Sequence, residues 1–200
     1  EEQAQRVKEF MNYQIIHVME EYDEELDQML FYLPLAGSAF KKVYYDETLG
    51  RAVSKFVAPE DLIVPYYTTD LESCSRITHV VKMPENDVKK LQAIGFYRNV
   101  EVEYGNNQEY SDVSSEKEKL EGIEPGYDDG EVSLLYEVHC NLDLEGFEDI
   151  TENGEPTGVK LPYIVTIDSG SDSILAIRRN FKEDDPMRTK TEYFVHFKFL

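Results

Sequence analysis

The sequence is poor in the residues that mark several functional classes. It has no Trp and only two Cys, Cys74 and Cys140, which form no CxxC pair. Two isolated thiols are typical of reduced cysteines in a cytosolic setting, and not of a disulfide framework or a zinc site. There is also no apolar run of about 18 residues, the length that a membrane-spanning helix needs. These gaps exclude a membrane-spanning helix within the sequence and favour reduced cysteines over a disulfide.

Basic residues are scarce as well. The chain has 20 Lys and Arg against 41 Asp and Glu, a net charge of −21. Residues 101–158 alone hold 18 Asp or Glu and two Lys, which gives −16 of that total. A protein that grips nucleic acid needs clustered Lys and Arg to neutralise phosphates. The composition therefore excludes an affinity binder of DNA.

Apolar residues at helical spacing open the chain. Their intervals of four and three predict one amphipathic helix of nearly thirty residues, which Pro34 ends. The apolar positions are Val7, Met11, Ile15, Val18, Tyr22, Leu26, Met29 and Leu33. The opposite face is acidic, and we interpret it as a solvated face rather than a docking surface. It carries Glu20, Glu21, Asp23, Glu24, Glu25 and Asp27.

Strand patterns fill most of the remaining chain. A hairpin is predicted from residues 39–46 and 51–58, followed by strands at 61–66 and 76–83. A short helix begins at Pro84 and stops at Gly95, with Val88, Leu91 and Ile94 as its buried stripe. Four later strands predict a meandering antiparallel sheet. They lie at residues 132–144, 159–168, 174–181 and 191–200.

The sequence thus predicts an α+β fold. Its parts are a long N-terminal amphipathic helix, a short second helix, a mostly antiparallel β-sheet and an acidic mobile loop at residues 104–130. We expect three portions: residues 1–100 with the helices and hairpin, the acidic loop at 101–131, and the strands of 132–200. The α+β class does not by itself indicate a function.

An Asp-Ser-Gly motif suggests one possible chemistry. Asp168, Ser169 and Gly170 follow an apolar strand, as in aspartic proteases, where two carboxylates share a proton. A single copy needs a homodimer, and no second glycine-bearing motif follows. Because Asp, Ser and Gly are also turn residues, a hairpin turn is the favoured interpretation.

An acidic stretch offers a possible cation site. Its oxygen-bearing residues match the spacing of the twelve-residue calcium loop. They are Asn141, Asp143, Glu145, Gly146, Phe147, Asp149 and Glu152. Position one is Asn, position eight is Glu148 and the flanks are strands, so calcium binding is an alternative rather than the leading hypothesis.

The remaining polar groups point to no catalytic or metal centre. The histidines lie singly, without metal-ligand spacing, and three of them fall on predicted strands. They are His17, His79, His139 and His196. For the pair Arg178 and Arg179, two interpretations stay open: local ion pairing with the acids of residues 183–185, or a contact between subunits. We predict no catalytic, cofactor-binding or metal residues.

Several stretches occur in a telling order. Residues 33–46 (LPLAGSAFKKVYYD) lead into 58–83 (APEDLIVPYYTTDLESCSRITHVVKM) and a helix-like 84–95. Two later stretches are 162–186 (PYIVTIDSGSDSILAIRRNFKEDDP) and 193–200 (YFVHFKFL). Together these resemble the portal (head-to-tail connector) proteins of short-tailed, double-stranded DNA bacteriophages. The resemblance covers most of the chain except its acidic middle.

This resemblance implies a structural, non-enzymatic role. The family forms a ring, usually a dodecamer, through which DNA is packaged into and ejected from the capsid without sequence-specific binding. Its partners are sister subunits, the packaging ATPase (terminase), coat protein and tail adaptors, and no membrane. It resides in the virion, and in the host cytoplasm during assembly. We expect this chain to be an internal fragment from the wing-like body, monomeric or weakly associated alone. The alternatives are a calcium-binding module and, more weakly, a dimeric acid protease.

Overall fold

The computed structural model describes residues 2–46, 49–105, 132–150 and 155–199. Three α-helices and eight strands are seen within these ranges, and both sheets are mostly antiparallel, which confirms the α+β class. The elements are α1 (Glu2–Tyr13), α2 (Tyr22–Ala36), β1 (Ser38–Asp46), β2 (Arg51–Val57), β3 (Leu62–Ile63), β4 (Arg76–Pro84), α3 (Glu85–Ala93), β5 (Val132–Leu142), β6 (Leu161–Asp168), β7 (Ile174–Arg179) and β8 (Phe194–Lys198).

The chain divides into two compact units. The first comprises Glu1–Ile77 with Lys190–Leu200, and the second comprises Thr78–Thr189. This division differs from the predicted portions 1–100, 101–131 and 132–200, because the last strand joins the first unit. The predicted acidic loop from residue 106 to its end, the turn residues 47 and 48, and Glu152 lie outside the described residues.

The N-terminal helical region of the first unit is interrupted. A π-helical turn, Gln14–Val18, follows α1, and Met19 leaves the helical conformation with φ −91° and ψ 76°. The prediction of one unbroken helix is therefore wrong, because periodicity cannot reveal a π-turn that shifts the phase. Pro34 does not end α2 either. The helix runs through it and stops at Gly37, whose φ of 72° suits glycine.

A three-stranded sheet in the order β2-β1-β8 supports α2. The predicted β1–β2 hairpin is confirmed, with Tyr44 opposite Val53 in an antiparallel register. On the other side of β1, Lys41 lies opposite Val195 of β8. The expectation that this last strand joins the preceding three in one meander is wrong. An alternating pattern identifies a strand but not its neighbour, which non-local packing decides.

A second apolar cluster of the first unit lies around β3. Val57, Leu62, Ile77 and Phe194 are buried together. The strand β3 has two residues and is shorter than the predicted 61–66. Pro65 explains the difference, because it starts a turn in which the Thr68 N–H donates to the Pro65 carbonyl at 3.0 Å.

The second unit is built on antiparallel strands and one helix. Within this unit, hydrogen bonding orders the strands β4-β5-β6-β7. The buried core comprises Val88, Tyr97, Val102, Leu135, Leu175 and Ala176. In α3, Val88 is buried and Leu91 packs beside it, but Ile94 is 66% exposed, so its predicted burial is wrong. Ile94 occupies the C-cap, beyond the buried face.

Burial in this core also changes the chemistry of a phenol. Desolvation, followed by the nearby Glu137 carboxylate, raises the pKa of Tyr97 to about 12. Tyr97 therefore stays neutral over the working pH range and acts as a core residue. Among the helices that the structure describes, none combines the length and the apolar character needed to cross a membrane.

Candidate functional site

The Asp-Ser-Gly motif lies at the hairpin turn between β6 and β7, as the turn interpretation predicts. Asp168 is fully buried, and its backbone N–H donates to the Ser173 carbonyl at 2.9 Å. Its Oδ1 accepts the Ser133 hydroxyl at 2.8 Å. Its Oδ2 accepts the Glu103 N–H at 3.1 Å and both the N–H and the hydroxyl of Ser171, at 3.0 and 2.6 Å.

This arrangement determines the charge state of Asp168. Burial alone would raise its pKa, but the hydrogen bonds from Ser171, Glu103 and Ser133 together lower the pKa below its usual value. The carboxylate is therefore ionised, and its oxygens are taken up by structural donors. An aspartic protease needs a carboxyl group that shares a proton with a second one. The geometry of Asp168 is that of a residue that ties together strands and turn, not that of a catalytic acid.

The proposed calcium loop adopts a different local structure. Asn141, its first position, lies within β5 and pairs with Pro162. Asp149 accepts the Thr157 hydroxyl at 2.9 Å, and Ile150 forms a bridge with Pro156. Its last position, Glu152, lies outside the described residues. Over residues 2–46, 49–105, 132–150 and 155–199, no group of three or more His, Cys, Asp or Glu could hold a metal ion. Calcium binding stays a prediction.

The histidines on strands have structural neighbours. His139 of β5 is buried, and its Nε2 lies 2.7 Å from Glu137 Oε1. His196 of β8 stacks on Phe40 with ring centroids 4.6 Å apart, and its Nε2 lies 2.6 Å from the Ser38 hydroxyl. Burial, followed by the charge of Lys198, lowers the pKa of His196. These contacts describe packed, hydrogen-bonded imidazoles.

The arginine pair makes contacts inside the second unit. Arg179 forms an ion pair with Glu183, which agrees with the local interpretation of this residue. Arg178 lies over the Phe96 ring, 3.2 Å from its centroid, and donates to the Phe96 carbonyl at 2.9 Å. The contact between subunits stays a prediction for this pair.

The acidic face of α2 has an unexpected function at the edge of the first sheet. Glu21 Oε1 accepts the Ser54 N–H at 3.2 Å, and Glu25 accepts the Phe56 N–H at 2.5 Å. Glu21 also pairs with Arg51 at 2.5 Å. The interpretation as a solvated face is wrong for Glu21 and Glu25. It fits Glu20, Asp23, Glu24 and Asp27, which are exposed.

The spacing of the two elements explains this arrangement, which we call the edge cap. Residues four apart on a helix lie about 6 Å apart, and residues two apart on a strand lie about 6.6 Å apart. Glu21 and Glu25 can therefore reach two successive outward N–H groups of β2. Because β2 is the outer strand of this sheet, no strand of the described ranges pairs with these groups on that side. The edge cap supplies acceptors that a neighbouring strand would otherwise supply.

Lys41 lies beneath the same helix. It is only 5% exposed, and among the described residues its Nζ has no hydrogen-bond acceptor. The Nζ lies 4.3 Å from the centroid of the Tyr22 ring. Burial lowers the pKa of Lys41, although attraction to Glu25 and Glu21 opposes the change. The folded protein thus disfavours the charged form of Lys41, although its ammonium lies close to the Tyr22 ring.

We expect the substitution Lys41→Met to stabilise the first unit at pH 7. It removes a poorly compensated buried ammonium and keeps the apolar stem, so the gain should be about 1 kcal/mol. Because the folded-state pKa is lowered, the cost is complete below that pKa and disappears as the pH rises to the ordinary value of 10.5. Urea unfolding of both proteins between pH 7 and 10 measures the gain and its decline.

The control is Lys42→Met, one residue along β1. Lys42 is half-buried, and its Nζ lies 5.3 Å from the Tyr44 ring centroid. We expect no gain from this variant. A loss of more than about 1 kcal/mol in Lys41→Met would show that the ammonium stabilises the unit.

Helix α1 presents apolar side chains that nothing in the described chain covers. None of the residues of Glu2–Tyr13 is buried. Val7, Phe10 and Met11 are 61%, 60% and 50% exposed, and their spacing places them on one face. We call this face the α1 surface. A helix this short is marginal in water without tertiary packing, so the α1 surface calls for a partner.

Comparison with known proteins does not assign this chain to a family. A scan of this chain against protein-family models finds no match, and a search of curated proteins finds none either.

Proposed function

We propose that this chain is part of a structural subunit of a bacteriophage portal ring, through which double-stranded DNA is packaged and ejected. The α1 surface carries the proposal, because it is an apolar helix face that the described residues leave uncovered. The sequence resemblance to portal proteins suggests that the partner of this face belongs to a ring of identical subunits. The occupant that we assign to the α1 surface is a second copy of the same subunit.

The charges of α1 do not oppose a contact between copies. Arg6 and Lys8 are the only Lys or Arg before Lys41 in the sequence, and both lie on α1, where Glu2 and Glu9 balance their charge and Arg6 pairs with Glu2. The exposed acids of α2 carry the opposite sign. A head-to-tail contact that joins α1 of one copy to the α2 acids of the next is heterologous. Repeated contacts of this kind close into a ring when the rotation between successive copies divides a full turn.

The net charge of −21 agrees with a DNA conduit. A wall that attracts phosphates would hold the duplex, whereas an acidic wall lets a polyanion slide. The chemistry of packaging would belong to the terminase ATPase. Coat protein and tail adaptors would be further partners in the virion.

Electron microscopy of the intact subunit that carries this chain tests the proposal. We expect rings with a central hole. Replacing Phe10 and Met11 by Ser should remove most of the rings, because the contact would bury polar groups in place of apolar ones. The matched control is Asn12→Ser, a substitution at an exposed position of the same helix, which should leave the rings intact.

Some results would contradict the ring. A monomeric intact subunit would do so, as would tight binding of duplex DNA in moderate salt. If rings persist after the Phe10 and Met11 substitutions, the subunit still assembles into a ring. In that case the α1 surface is not the contact between subunits.

A further inference from the structure

The segment between β3 and β4 is an ordered loop with an aromatic tip. Tyr66 is fully exposed and Tyr67 is 79% exposed. They occupy the central positions of the turn from Pro65 to Thr68. Central turn positions ordinarily carry Gly, Asn, Asp or Pro. Two large aromatic rings in solvent at these positions find no stabilising contact in the turn itself.

The base of this loop is held firmly on one side. Val64, Leu71 and Cys74 pack against the buried cluster of the first unit. Lys190 donates from its Nζ to the Leu71 and Glu72 carbonyls, at 3.2 and 3.0 Å.

Hydrogen bonds within the loop add to this support. Asp70 accepts the Ser73 N–H and hydroxyl, both at 2.7 Å, and the Thr69 hydroxyl at 3.1 Å. These donors lower the pKa of Asp70, so its charge is present at neutral pH. The loop that carries Tyr66 and Tyr67 is therefore preorganised by these contacts. An aromatic side chain on such a loop loses little conformational entropy when it binds.

The charge around the tip narrows the kind of partner. Residues 58–75 contain four acids and no Lys, Arg or His, and Lys190, at the base of the loop, adds one positive charge. The acids are Glu60, Asp61, Asp70 and Glu72. Nucleic acid would bring phosphates towards these carboxylates, and so would an anionic membrane. A protein surface with Lys or Arg beside an apolar cleft has the complementary charge and could enclose the rings.

We propose that Tyr66 and Tyr67 form a docking tip for a protein partner that presents an apolar cleft edged by Lys or Arg. Tyrosines are enriched at the energetic centres of interfaces, where an apolar ring is enclosed and the hydroxyl finds a donor or acceptor. The docking tip depends on the loop alone and does not require the proposed ring.

Selection from a displayed random peptide library tests the docking tip. The bait is the full chain, with the variant Tyr66→Ala/Tyr67→Ala as the counter-selection. We expect enriched peptides that combine apolar residues with Lys or Arg. They should bind the double variant at least about tenfold more weakly, a loss typical of interface anchors. Their affinity should fall as salt rises, and it should fall in Glu72→Lys.

The matched control is Tyr45→Ala, because Tyr45 is 65% exposed on β1, away from the loop. It should leave peptide binding unchanged. The docking tip would be overturned by a selection without an enriched class, by enriched peptides that are acidic, or by peptides that bind the double variant equally. Single-stranded DNA or anionic phospholipid vesicles that bind the wild type and not the double variant would overturn it as well.

Discussion

Replacing Asp168 by Ala should destabilise the second unit by about 3 kcal/mol. The substitution removes a buried, ionised acceptor and leaves the donors of Ser133, Glu103 and Ser171 without it. Each buried donor without an acceptor costs about 1–3 kcal/mol, although such costs do not add fully. Urea unfolding should show the loss. Hydrogen exchange of the Glu103 and Ser171 amides should be faster in the variant.

The same carboxylate makes a prediction about pH. Because its folded-state pKa is lowered, the stability that it contributes is present above its unfolded pKa of about 3.9 and is lost as pH falls through the folded value. The difference between wild type and Asp168→Ala should therefore be constant from about pH 7 to pH 5 and shrink below about pH 4.

A neighbouring carboxylate gives the control. Asp172 is exposed in the same turn at φ 55°, a conformation that Asn tolerates. Asp172→Asn should change stability by less than about 0.5 kcal/mol. If Asp168→Ala were equally harmless, the carboxylate would not hold the turn to β5 and to the segment at Glu103.

Removing the second carboxylate of the edge cap should have the next largest effect. In Glu25→Ala the half-buried Phe56 N–H loses a charged acceptor, which should cost about 2 kcal/mol of the stability of the first unit. The uncovered β2 edge should also favour pairing with the edge of another molecule. Thermal unfolding measures the first effect, and light scattering after mild heating measures the second.

Glu24→Ala is the matched control for the edge cap. Glu24 precedes Glu25 on the same helix but is exposed. The two substitutions change helix propensity and net charge equally. Equal stability and equal scattering of both variants would show that the edge cap contributes nothing beyond the shared loss of charge.

Local pattern was enough for much of the fold. Alternation located the β1–β2 hairpin and the strands β4 to β7, and the glycine after α3 marked the end of that helix. These features depend on neighbours within a few residues. The partner of β8 and the break after Val18 do not, since the first depends on packing across the chain and the second on a local change of helix type.

The polar sites were harder still to predict from the sequence, because their partners are distant in the chain. The turn at Asp168 could be predicted from its own residues, but its donors at Ser133 and Glu103 are 35 and 65 positions away. Lys41 occupies a position where sequence rules expect exposure. Glu21 and Glu25 could have been marked by their four-residue spacing, yet the same spacing is ordinary on any acidic helix.

Gly105 and Val132 lie next to each other in the structure although they are far apart in the sequence. The Gly105 N–H donates to the Val132 carbonyl at 3.2 Å, and Asp168 holds the adjacent Glu103 and Ser133. The two ends, Gly105 and Val132, are therefore fixed side by side by contacts that do not involve the residues between them. Since the entropy of closing a loop grows only slowly with its length, we expect a change in the number of intervening residues to cost the second unit little stability.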